Sequence, residues 1–167
     1  MKNIIITFFF TAISCLNLNA QEVYNSIRSK ALDTVNNPST QDILKKIDMF
    51  QVDALDYLLL KMREEMPDSS TLYLDKQAYA LSNFMNLYIR TIIEMQHEPK
   101  ARTVQVVKLF MDASYSNPLF NDSDKELVYT YFNNQESLTR FSLDTDWQRA
   151  FIAASVELKR WKEASSK

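Results

Sequence analysis

The densest mixture of reactive and recognition chemistry in this sequence lies in the stretch LTRFSLDTDWQRAF, Leu138 to Phe151. There Arg140, Phe141, Asp144, Asp146, Trp147 and Arg149 place guanidinium, carboxylate and aromatic groups side by side. Arginine next to aromatic surface is the composition of protein–protein hot spots, because a ring buries a large area and a guanidinium offers several donors in a fixed plane. This segment is therefore expected to hold an interaction patch, with Arg140 and Arg149 beside Phe141 and Trp147 as its anchors. The competing expectation is that the rings anchor a loop in the core and the acids open a helix. Exposure of the two rings decides between them.

Other reactive groups give less to work with. His97 is the single histidine, so any triad or metal site would have to use it as its only imidazole; before Glu98-Pro99 it reads as a solvated residue near the last carbonyls of a helix. Pairs such as Asp53 with Asp56, or Glu64 with Glu65, have the residue types of acid–base hydrolysis, but their spacing is equally that of a solvated helix face. The run Asn121-Asp122-Ser123-Asp124-Lys125-Glu126 alternates oxygen donors like a calcium loop. It has Leu127 where the loop needs glycine and Asn133 where the bidentate glutamate belongs, so it reads as an acidic helix start, as does Asp144-Thr145-Asp146. No cofactor or metal site is expected. Asn121-Asp122-Ser123 also matches a glycosylation sequon, which matters only in a eukaryotic secretory pathway.

Composition narrows the classes further. The sequence has no glycine, where ordinary usage is about 7%, so it contains neither a phosphate-cradling loop nor a G-x-S-x-G elbow. A formal charge of −2 gives no strong field toward nucleic acid or an anionic membrane. The start, MKNIIITFFFTAISCLNLNA, has Lys2, an apolar run from Ile4 to Ile13 and a more polar stretch ending in Ala20, the layout of a secretory signal peptide. Cleavage after Ala20 leaves a helical domain, residues 21–167, without cysteine, since Cys15 is the only one. The alternative is Ala12-Ile13-Ser14-Cys15 as a loose lipobox, which would leave a lipoprotein anchored at Cys15.

These side chains have to be positioned by helices. From Leu74 to Glu98, Leu74, Ala78, Leu81, Met85, Tyr88, Ile92 and Met95 recur at 4-3 spacing, which predicts a central helix with Leu81, Met85, Tyr88 and Ile92 almost wholly buried. Its polar strip is Lys76, Asn83, Arg90 and His97, seven apart. Ser82, Asn83, Asn86 and Arg90 interrupt it too often for a membrane span. Before it come a helix from Gln21 to Asn36, facing inward with Tyr24, Ile27, Ala31 and Val35, and a long helix from about Thr40 to Met66, capped by Ser39 with Asp42. The long helix and the central helix should form an antiparallel hairpin, Thr40 to Glu98. A fourth helix opened by Pro99 should carry Val104, Val107, Met111 and Tyr115 inward. Leu119-Phe120 should be pinned into the core, a short helix should start at Ser123 with Glu126, and a last one should follow Asp146 with Trp147, Phe151, Ala154, Leu158 and Trp161 inward. The fold expected is an all-α, single-domain bundle of five or six helices built on that hairpin.

The leader and the blocks KMREEMPDSS, LFMDASYSNPLFND and SLDTDWQRAF resemble small exported helical proteins of the Bacteroidota, a family without a known activity. The resemblance implies export to the periplasm or medium and an all-helical domain, and assigns no functional residue. Two functions fit: a non-catalytic interaction module contacting an unknown protein partner through the segment Asn117 to Arg149, or a carrier sheltering a small apolar ligand between helices. The drifting face of the second helix, with Met49, Met62 and Met66, would suit the latter as an adaptable pocket. No nucleic acid and no transmembrane helix in the mature chain are expected.

Overall fold

In the computed structural model, which describes residues 21–121 and 139–165, the chain runs through α1 (Glu22–Asn36), α2 (Asp42–Glu65), α3 (Thr71–Glu94), a 3-10 turn (Met95–His97), α4 (Lys100–Tyr115) and α5 (Trp147–Ser165). It is an all-α bundle with no strand among the described residues. Contacts at both ends of each pair fix the directions. Tyr24 meets Asp56 while Pro38 turns the chain back, so α1 and α2 are antiparallel. The Trp147 N–H reaches Gln77 and Lys162 reaches Glu94, so α5 runs parallel to α3. Ser114 meets Thr145 and Trp161 meets Gln105, so α4 opposes α5. The five described helices therefore alternate in direction, up-down-up-down-up.

The turns between them are made without glycine. At the end of α1, Asn37 closes its N–H onto the Asp33 and Thr34 carbonyls and its side-chain Oδ1 accepts the Ser39 N–H at 2.9 Å. Because Asn37 has already folded this turn, Ser39 does not cap α2; that helix begins two residues later, after Gln41, without a side-chain cap. α3 is α-helical only to Glu94 and tightens to 3-10 geometry at Met95. Pro99 forces Glu98 into an extended conformation, ψ 157°, and stands just outside α4 instead of opening its first turn. The N-terminus of α1 borrows its cap, since the Asp75 carboxylate of α3 accepts the Tyr24 N–H at 2.9 Å.

α3 packs against each of the other four described helices and is the axis of the bundle. The hairpin α2–α3 forms, but the most extensive pairings are α1 with α2 and α3 with α5. Around α3, Phe50, Phe84, Tyr88, Phe110, Phe141 and Trp147 meet edge to face with centroids 5.1–6.0 Å apart. That geometry sets the positive ring edge on the negative ring face. Burial pushes the Tyr88 phenol well above its usual range. Leu81, Met85 and Tyr88 are buried as expected. Ile92 is only half-buried, because it lines an open furrow with Ile43, Ile47, Ile89 and Ile93 where α1 and α2 diverge from α3.

α4 shows a different inner face from the one its spacing suggests. Val104 and Tyr115 are 57% and 59% exposed, and the buried set is Val106, Val107, Phe110, Ala113 and Ser114. Both stripes have helical spacing; the one with the large Phe110 ring and the Ser114 hydroxyl wins because the core needs the ring and the segment before α5 needs the hydroxyl. Leu119 and Phe120 are half-buried against the core, with Phe120 edge-on to Tyr57 at 6.3 Å. The acidic run from Asp122 and the short helix expected from Ser123 lie outside the described residues, as does the leader.

One surface cluster has a pH signature. Arg28 donates to both oxygens of Asp56 at 2.6 and 2.7 Å, and the Tyr24 hydroxyl donates to the same carboxylate at 3.1 Å. The Arg28 guanidinium holds the Asp56 carboxyl below its usual range, while burial and then the Asp56 charge raise Tyr24 to about 12. A lowered carboxyl stabilises the fold above its unfolded value, near 3.9, and that contribution is lost as pH falls through the folded value. A raised phenol contributes fully below about 10 and loses its contribution as pH climbs through about 12. Urea midpoints against pH should thus show Asp56→Asn flattening the acid limb and Tyr24→Phe flattening the alkaline limb. Both changes should be small at pH 7, as the ion pair is partly solvated. An unchanged acid limb in Asp56→Asn would refute the linkage.

Candidate functional site

The segment 139–146 is irregular yet sealed. Thr139, Phe141, Ser142, Leu143, Asp144, Thr145 and Asp146 are all buried, so their backbone and side-chain polar groups need partners inside the protein. Ser114 of α4 supplies several: its Oγ accepts the Ser142 N–H at 2.9 Å and sits 2.9 Å from Thr145 Oγ1, which also donates to the Ser142 carbonyl at 2.7 Å. Asp144 Oδ1 accepts the N–H groups of both Leu119 and Phe120, at 3.0 and 2.9 Å. The Asp146 N–H donates to the Asn117 carbonyl at 2.7 Å. Gln77, fully buried on α3, closes the array: its Nε2 donates to Asp146 Oδ1 at 3.0 Å and its Oε1 accepts the Trp147 N–H at 2.8 Å. Asp146 Oδ1 also accepts the Arg149 N–H at 3.2 Å, so Asp146 caps α5.

This corrects the interaction patch expected from the sequence. Phe141 and Trp147 are each 0% exposed, at the centre of the aromatic cluster, and Asp144 and Asp146 direct their oxygens to backbone donors. Of the six residues only Arg149 is well exposed, ion-paired to Asp146 at 3.3 Å, and Arg140 is half-buried beside the outer face of α4. Two rings cannot be contact anchors and core at once. The physical reason is their neighbours: Phe141 and Trp147 fill the space between α2 and α3 that Phe50 and Phe84 leave open. The competing reading, loop anchoring and capping, describes this segment.

A better candidate lies on the long helices, whose apolar spacing by itself points only to packing. Between α3 and α5 runs an open groove of about 610 Å3. Leu87, Phe151 and Leu158 form its apolar floor, Asn83, Asn86 and Ser155 its polar walls, and Arg90, Lys159, Lys162 and Glu163 its charged end. Lys162 is held by Glu94 at 2.7 Å, and Lys159 reaches Glu163 only at 4.0 Å. Lys76 and Arg90 have no ion-pair or hydrogen-bond partner among the described residues and are exposed. Large apolar side chains flank the groove on the same two helices: Tyr79 is 61% and Ile152 62% exposed. The signal is present in the sequence in part, as the polar strip Lys76, Asn83, Arg90 and His97 at seven-residue spacing, of which Asn83 and Arg90 line the groove.

Other grooves are less suggestive. The furrow between α4 and α5 has its charges matched, Lys108 with Asp112 and Arg160 with Glu157, and Trp161 is covered by Arg102 at 5.0 Å. Met49 and Met66 are exposed and Met62 is buried; none of the three lines the α3–α5 groove, the α4–α5 furrow, the furrow beside Ile92 or the hollow beside Arg140. His97 is exposed beyond the end of α3. Among the described residues no group of three His, Cys, Asp or Glu is placed to hold a metal, and no helix is long and apolar enough to cross a membrane. No protein-family model matches the chain, and neither a curated protein nor a solved structure matches it.

Proposed function

We propose that this chain is an exported, non-catalytic interaction domain and that it meets a protein partner along the α3–α5 face. The observation that carries this reading is an open groove with an apolar floor and with Arg90, which has no partner among the described residues, at its charged end, beside exposed Tyr79 and Ile152 on the same two helices. Contiguous apolar surface bordered by polar groups is characteristic of binding faces. Where acids do converge, around Asp144 and Asp146, their oxygens hold backbone N–H groups in place, which favours a structural use of that chemistry. Export rests on the leader-like residues 1–20. The apolar-carrier reading has less behind it, because the methionines that would form a pliable pocket do not line one of these grooves.

The test is site-specific photo-cross-linking in the native host. A photoreactive residue in place of Asn86, on the groove wall, should give a protein adduct, while the same residue in place of Ser29, exposed on α1, should not. No adduct from Asn86, or equal adducts from both, removes the reading. The intact mass of the host material tests export: a chain starting at Gln21 is expected, and one starting at an acylated Cys15 would place the domain on a membrane by its lipid.

A further inference from the structure

We draw no further inference here: the strongest candidate, the open apolar furrow where α1 and α2 diverge from α3, lined by Ile43, Ile47, Ile89, Ile92 and Ile93 and by no charged side chain, carries nothing because nothing in the structure shows what covers it.

Discussion

Phe84→Ala should destabilise the fold by about 3–5 kcal/mol, read as a lower urea midpoint with an unchanged slope. Phe84 has 0% exposure and is edge-on to Phe110, Phe141 and Trp147 at 5.4, 5.6 and 5.4 Å, so its removal takes one wall from each of three rings. Close packing on α3 from every side leaves little room for collapse into the cavity, which places the cost toward the upper end. Against a total stability of about 5–15 kcal/mol for an ordinary domain, this is a large fraction. Tyr79→Ala, one turn away but exposed, is the internal comparison and should stay within about 0.5 kcal/mol. Similar losses at the two positions would mean that α3 does not sit at the centre of the core.

Asp144→Ala should cost roughly 2–5 kcal/mol, because it strands the Leu119 and Phe120 N–H groups, each worth about 1–3 kcal/mol when left without an acceptor. Both donors converge on a single oxygen, Oδ1. Asparagine can keep a carbonyl oxygen at that place, so Asp144→Asn should retain at least half of the lost stability in chemical denaturation. It will not retain all of it, since an N–H held by a charged acceptor is the stronger bond. If asparagine is as damaging as alanine, the charge of Asp144 matters more than its geometry.

The two variants probe parts of the molecule that differ in how readable they are from sequence. The five helices, the α2–α3 hairpin, and the burial of Leu81, Met85, Tyr88, Trp147, Ala154 and Leu158 follow from apolar spacing, because a helix that buries a stripe must repeat it every turn. α4 defeats the same rule, since two overlapping stripes share Val107 and only the neighbours decide between them. Ser39 fails as a cap because Asn37 forms the turn first. The patch at Arg140 to Arg149 fails for a tertiary reason: composition registers aromatic and arginine side chains but not which way a loop turns them. Gln77 is not legible locally, as the groups that give it its place, Asp146 and the Trp147 N–H, lie 69 and 70 positions away. The groove is half legible, its rim as a polar strip and its floor as core.

The placement of Phe141 and Trp147 in the last fifth of the sequence bears on how the chain reaches its folded state. As synthesis proceeds from the N-terminus, Phe50, Phe84, Tyr88 and Phe110 emerge well before the two rings that close over them, and Gln77 waits for the backbone of Trp147. Nascent chains that stop short of residue 141 hold an open aromatic face, attractive to chaperones and unable to complete the centre of the domain. For a polypeptide threaded through a membrane before folding, as its leader-like first twenty residues suggest, that delay is useful. A chain exported in that way would stay translocatable until its C-terminal end had been made, and would close its core on the far side.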